Sequence, residues 1–331
     1  MSNSQKLVAT APPHLKAENT VSQAMRDVII ALIPVSLVAI YFFTFYAIIT
    51  FAVCLGTAAL TEIVFRRVAG KKHTLNDLSA LLTGLLVALL LPATAPWWTA
   101  ALATLIAVGV AKEIMGGLGW NLFNPALFGR VVVLVLAPWF AFMNTGFAGL
   151  SINVGNVDVY TQATPLAMMQ GGMEMPGYGS MFLAFPGGAM GETSALALLL
   201  GAAFLIYKKH IGWRIPVSII ATVFVLSLIT GQDPIYHVLA GGVLLGAFYM
   251  ATDWVTSPIT DKGKIIFGIA IGVLIIVFRV GFGPTEGVAF SILIMNGFVP
   301  LIERVTKRPS FSEPKPTTAR TSAQTASAGK S

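Results

Sequence analysis

The run Val28-Ile29-Ile30-Ala31-Leu32-Ile33-Pro34-Val35-Ser36-Leu37-Val38-Ala39-Ile40-Tyr41-Phe42-Phe43 decides the fold of this chain. It is uncharged throughout, and a second apolar run, 45–64, follows it directly. The hydrocarbon core of a bilayer is about 30 Å thick, so a spanning helix needs about 20 mostly apolar residues. Reading outward on that basis adds segments at 78–91, 97–111 and 125–143, then at 193–207, 213–229, 235–253, 265–280 and 287–302. Several are shorter than a standard span. Broken or re-entrant helices are expected there, which a membrane tolerates only where protein or a water cavity covers the freed backbone.

Composition agrees with a chain dissolved in lipid. Hydrophobic residues make up 56% and charged residues 11%, against about 25% charged in a soluble domain. The single cysteine, Cys54, lies in an apolar segment and excludes an internal disulfide or a Cys-based metal centre. His14, His73, His210 and His237 are scattered without ligand spacing. Residues 1–23 are polar and lack an apolar h-region, so the first apolar segments are expected to serve as the insertion signal.

The net charge of +7 follows the segment ends. With the N-terminus in the cytoplasm, ten segments put Lys6, Lys16, Arg26, Arg66, Arg67, Lys71, Lys72, Lys112 and Arg130 inside. Lys208, Lys209, Arg214, Lys262, Lys264, Arg304, Lys307, Arg308, Lys315, Arg320 and Lys330 fall on the same side. Only Arg279 of the 21 basic residues is left outside, which is the positive-inside pattern. No basic stripe stands apart from it, so nucleic acid is not an expected partner. All six Trp fall near segment ends, as interfacial anchors do.

The expected architecture is therefore an all-α integral membrane protein of about ten transmembrane helices. A cytoplasmic segment (1–25) leads into a first membrane repeat (26–143), and an extracytoplasmic loop (144–192) leads into a second (193–305). A disordered cytoplasmic tail (306–331), rich in Ser, Thr, Ala, Pro and Lys, ends the chain. The repeats are suggested by self-similarity. Thr83-Gly84-Leu85-Leu86 through Ala93-Thr94 overlays Gly241-Gly242-Val243-Leu244 through Ala251-Thr252 without a gap, and Gly117-Leu118-Gly119 matches Gly281-Phe282-Gly283. Five helices per repeat is odd, so the second copy is expected to be inverted. Such repeats place sites where interrupted helices meet.

Three runs could carry chemistry. The first, Asp158-Val159-Tyr160-Thr161-Gln162-Ala163-Thr164-Pro165-Leu166, lies in a 144–192 loop that has no Lys or Arg. Pro165 biases Thr164 to an extended conformation, and a polar loop on a rigid scaffold leaves its hydroxyl accessible. The second runs from Lys112 to Leu127 and contains Gly116-Gly117-Leu118-Gly119-Trp120-Asn121-Leu122-Phe123-Asn124-Pro125-Ala126. Its glycines permit tight turns. Asn124 followed by Pro125 reads as an N-cap with Pro at the first helical position. The third is Ala251-Thr252-Asp253-Trp254-Val255-Thr256-Ser257-Pro258-Ile259-Thr260, where Asp253 ends an apolar segment. A carboxylate there either is solvated at a helix end or serves an ion or ligand site. Arg130 reads as a snorkelling residue and Glu286 as the start of the last helix.

These runs, in this order, resemble the membrane flavoproteins of the Rnf and sodium-pumping NADH:quinone reductase complexes. The resemblance covers nearly the whole chain to about Arg308 and is nearest to the D component of the Rnf complex. The B component of the quinone reductase, the alternative, usually has a longer N-terminal extension. The resemblance implies FMN joined to Thr164 by a phosphoester, with Asp158, Thr161 and Ala163 recognised by a flavin transferase. It also implies a non-covalent riboflavin, with Asn121, Asn124, Asp253 and Thr256 as candidate flavin or ion contacts. The implied setting is the bacterial cytoplasmic (inner) membrane. The implied partners are the A, B, C, E and G components of Rnf, with G nearest on the outer side, and ferredoxin and NAD reached through other subunits. The function implied is electron relay coupled to Na⁺ or H⁺ movement, by a subunit not active alone. With one Cys, no Walker A run and no Gly-x-Gly-x-x-Gly opening a βαβ unit, iron–sulfur and nucleotide chemistry falls to partners. The residues by themselves also suit a non-redox transporter or channel of inverted-repeat fold.

Overall fold

A computed structural model describes residues 20–70, 75–93, 95–143, 165–170, 174–281 and 287–306. Asp158, Thr161, Ala163, Thr164 and Glu286 lie outside the described residues, as does the tail from 307. Among the described residues every regular element is helical, and the one extended pairing is an isolated bridge between Pro92 and Ala189.

Helix α1, Val21–Val68, opens with a capping box in which Thr20 Oγ1 accepts from Gln23 N and the Gln23 side chain accepts from Thr20 N. Thr44, at φ 45° and ψ −115°, breaks it into arms 21–43 and 45–68. Contacts at the two ends reveal a hairpin. Ser22 Oγ donates to Asn76 O at 2.8 Å, while Glu62 pairs with Lys112 Nζ at 3.4 Å and Lys112 donates to Ser79 Oγ at 2.7 Å. Positions 22 and 62 thus meet the same short stretch of chain, although an unbroken helix would hold them about 60 Å apart. The runs 28–43 and 45–64 are the two arms of this hairpin.

Helix α2 (Ser79–Leu90) leaves that end of the molecule, and past its last turn the Leu91 carbonyl accepts from Met190 N at 3.1 Å. Helix α3 (Trp97–Leu105) returns and widens into a π-helix over Ile106–Ile114. Helix α4 (Pro125–Met143) departs again. The described part of 144–192, expected as a loop, contains α5 (Pro165–Gln170), α6 (Tyr178–Leu183) and a 3₁₀ turn at Met190–Glu192. Helices α7 (Ala195–Tyr207) and α8 (Arg214–Ile229) follow, then α9 (Pro234–Leu239). Helix α10 (Val243–Leu245) continues as a π-helix over Gly246–Met250, and α11 (Asp261–Gly281) and α12 (Gly287–Thr306) complete the order.

Segment 235–253 is therefore not one helix. It breaks at Ala240-Gly241-Gly242, where both glycines have positive φ (66° and 69°), a region that favours Gly. Arg279, buried at the end of α11, holds the break. Its Nη1 donates to His237 O at 2.6 Å, and its Nη2 donates to Ala240 O at 2.9 Å and Gly241 O at 3.2 Å. A guanidinium fork can serve several orphan carbonyls of a helix end at once. The one basic residue set apart by charge sorting thus closes an interrupted helix.

Helices α2 and α10 run in opposite directions: α2 ends, and α10 begins, beside the Met190–Glu192 turn. Each follows a left-handed residue, Leu78 (φ 63°) before α2 and Gly242 (φ 69°) before α10, and these lie 164 positions apart. Gly117 and Gly281 are separated by the same 164 positions. Gly84 and Gly242, paired by the gap-free overlay, occupy different local settings. Gly84 lies inside α2, where an added Cβ would fall 2.8 Å from Cys54 O, whereas Gly242 is the turn before its helix.

Val21–Val68, Trp97–Ile114, Asp261–Gly281 and Gly287–Thr306 are long and apolar enough to cross a membrane, and α2, α7 and α8 are shorter apolar helices. Large hydrophobic side chains such as Leu37, Leu60, Phe224, Leu228 and Leu301 face outward. Small residues lie between helices: a Cβ at Gly201 would fall 2.0 Å from Ala31 O, and one at Gly129 would fall 2.2 Å from Ala103 O. Small interfacial residues and an apolar exterior are the packing of an integral membrane protein.

Candidate functional site: a cavity between two loops

The loops 115–124 and 251–260 meet at one end of the molecule, the end that also carries Arg66, Arg67, Lys208, Lys209 and Arg214. Asn124 makes the junction. Its Oδ1 accepts from Ala126 N at 3.1 Å and Leu127 N at 3.3 Å, capping α4 with Pro125 at the first position. Its Nδ2 donates to the carbonyl of Met250, the last residue of the second π-helix, at 3.3 Å. Asn296, buried in α12, adds a second tie. With its amide turned to the orientation that satisfies both ends, its oxygen accepts from Asn124 N at 3.0 Å and its nitrogen donates to Thr256 O at 3.1 Å.

Between these loops and helices α1, α2 and α7 lies a cavity of about 100 Å³, open on one side. Asn121, Asn124 and Asp253, named from the sequence as candidate contacts, all line it. Asn121 is held locally, its Nδ2 donating to Phe123 O at 3.2 Å. Thr256 stands behind the wall: its Oγ1 donates to Asp253 Oδ2 at 3.1 Å and so orients that carboxyl. Phe248, Tyr249 and Trp254 contribute flat apolar surface. Tyr249 is anchored by donating to Leu198 O at 2.8 Å, and Trp254 Nε1 donates to His210 O at 2.7 Å. His210, also on the wall, bonds Asp27 Oδ2 at 2.8 Å.

The wall also has a buried ionic part that the sequence reading did not single out. Lys112, at the end of the first π-helix and 2% exposed, meets Glu62 Oε2 at 3.4 Å and Ser79 Oγ at 2.7 Å. Arg66 links Glu62 at 3.4 Å to Glu113 at 3.2 Å. Two carboxylates and two cations balance, and buried charges persist only when paired in this way. Glu62 inside an otherwise apolar run, and Asn296 inside another, are the sequence signals that mark these positions. Lys112, counted from the sequence among the inside charges around the segment four–five turn, is a paired wall residue. Among the described residues no group of three His, Cys, Asp or Glu is arranged to hold a metal ion.

At the opposite end, Pro165, the residue after Thr164, is buried and begins α5. Leu166 packs with Met181 and Ala240, beside the α9 break. The chain is thus anchored immediately after the candidate attachment point.

A family model described as NQR2, RnfD, RnfE family matches residues 8–312. The chain is 42% identical to the D component of the Na⁺-translocating ferredoxin:NAD⁺ oxidoreductase complex of Acetobacterium woodii, over 92% of this chain and 95% of that one. It is 39% identical to the D component of the proton-translocating ferredoxin:NAD⁺ oxidoreductase complex of Clostridium ljungdahlii, over 91% and 95%. Identity to the D component of the ion-translocating oxidoreductase complex of Stutzerimonas stutzeri is 35%, over 87% and 91%.

Proposed function

The chain belongs to the NQR2, RnfD, RnfE family, and on that premise we propose that it is the membrane flavoprotein D component of an ion-translocating ferredoxin:NAD⁺ oxidoreductase complex. It is one part of an oxidoreductase and is not active alone. The proposal gives it ten spans in two inverted repeats, with the end bearing the two loops in the cytoplasm and Thr164 on the outer side. FMN is joined to Thr164 by a phosphoester, and a second, non-covalent flavin, riboflavin, occupies the cavity. Relatives named for sodium and for proton translocation are similar at 42% and 39%, so overall identity does not choose the ion.

The observation that carries the cavity reading is its wall chemistry. It joins flat aromatic surface to a few convergent polar groups, as small-molecule sites do. Its one Lys or Arg, Lys112, is committed to Glu62 and Ser79. Such a wall suits an uncharged ring system such as riboflavin better than a phosphate-bearing flavin. Asn121, Asn124, Phe248 and Trp254 are the residues that would hold it. A bound flavin supplies electron-transfer chemistry; the protein orients it and sets its surroundings. Asn124 fixes both loops, Thr256 aims Asp253, and the apolar residues exclude water.

The test is Thr164→Ala in the intact complex. The expected result is loss of covalent flavin from this protein and loss of ion-coupled electron transfer. Normal coupled turnover in that variant would remove the redox-relay reading and leave a structural or transporter role.

A further inference from the structure

We propose that Asp77, Ser79 and Lys112 form a proton path from the loop-bearing end of the molecule to the cavity wall, with Lys112 Nζ as the terminal group. The proposal rests on the reading of the cavity as a flavin site. Asp77 is half-buried beside exposed Asn76, and its Oδ1 accepts from Ser79 Oγ at 2.5 Å and from Ser79 N at 2.8 Å. Ser79 Oγ accepts in turn from Lys112 Nζ at 2.7 Å. Both Ser79 and Lys112 line the cavity. Two short hydrogen bonds therefore connect the surface to a wall that is otherwise largely apolar.

The surroundings keep this path in register. Asp77 fixes Ser79 at the first turn of α2, and Glu62, itself tied to Arg66 and through it to Glu113, holds the Lys112 amine against Ser79. The other titratable wall residues belong to separate contacts, His210 with Asp27 and Asp253 with Thr256. In an inward step Lys112 Nζ gives one proton to the flavin bound in the cavity, and surface water protonates the Asp77 carboxylate. Asp77 then hands that proton to Ser79 Oγ as the Ser79 hydroxyl proton passes to Nζ, which restores both groups and the carboxylate. The Ser79 hydroxyl, which donates to Asp77 at rest, turns over in the process. No electron travels along this path; electrons reach the cavity from redox centres of partner proteins.

The experiment separates proton access from electron transfer. The purified complex is first reduced with dithionite. A stopped-flow jump from alkaline to acidic pH then protonates the reduced flavin, and its absorbance change is followed. The cavity phase is the one missing from complex stripped of non-covalent flavin. Ser79→Ala is expected to slow that phase by about tenfold or more, in line with the worth of a positioned proton-transfer group. Ser79→Thr, which keeps the hydroxyl, is expected to restore it, with bound flavin content unchanged. Asp77→Asn, outside the cavity wall, carries the same expectation if Ser79→Ala sheds its flavin. An unchanged rate in both variants with flavin bound overturns the path. A wild-type complex with no non-covalent flavin overturns the cavity reading itself, and the path with it.

Discussion

Asn124 Nδ2 donates to the Met250 carbonyl at 3.3 Å, joining residues 126 positions apart. One side chain thus caps α4, takes a carbonyl at the end of the second π-helix, and forms part of the cavity wall. The two halves of the chain meet at this bond, and the wall depends on it.

Asn124→Ala removes the cap and the cross-link together. Loss of an N-cap costs about 0.5–2 kcal/mol, and the buried Met250 carbonyl loses one of its two donors, keeping only Asp253 N at 3.4 Å. The thermal unfolding midpoint of the complex is expected to fall, and non-covalent flavin to be lost while covalent flavin stays. Full retention of both flavins at an unchanged midpoint contradicts the assigned role.

Glu62→Leu leaves the buried Lys112 amine without its nearest carboxylate. Breaking a buried pair from one side costs about 3–5 kcal/mol, whereas replacing both partners with apolar residues is far milder. The double variant Glu62→Leu/Lys112→Met should therefore be more stable than Glu62→Leu alone, as read by thermal unfolding in detergent.

Arg279→Lys is expected to fail where a simple need for positive charge would let it succeed. Arg279 reaches three carbonyls of the α9 break with two nitrogens, a geometry that an ammonium does not reproduce. Limited proteolysis around Gly241 should quicken in Arg279→Lys almost as much as in Arg279→Met. Wild-type resistance in the Lys variant would reduce the contact to charge.

Gly201→Leu places a side chain where the Ala31 carbonyl already lies, since even a Cβ there falls at 2.0 Å. Overpacking costs about 1–3 kcal/mol or more, and here it acts on backbone. The yield of folded protein should drop sharply, whereas a Gly212→Leu control, with open space at its Cβ, should express normally.

Much of this architecture was legible because it depends on local signals. The Asn124-Pro125 pair marked the start of α4, and the apolar runs on either side of Thr44 marked the two arms of α1. The break at Ala240 was not legible. Gly241-Gly242 is compatible with a continuous apolar helix, and what decides against one is Arg279, far along the chain. Asn121, Asn124 and Asp253 were chosen from motifs, and the fold brings them to one wall. The pairing of Lys112 is not legible because its partner, Glu62, is fifty positions away on another helix. Gly84 and Gly242 look alike in sequence but serve packing and turn respectively.

The most direct measurement is mass analysis of the Thr164 peptide from complex purified with an active flavin transferase, paired with in-gel flavin fluorescence of the denatured protein. The account predicts a fluorescent band and an FMN adduct on Thr164 that is absent from Thr164→Ala. A dark band with unmodified Thr164, despite active transferase, would contradict it and favour a non-redox membrane role.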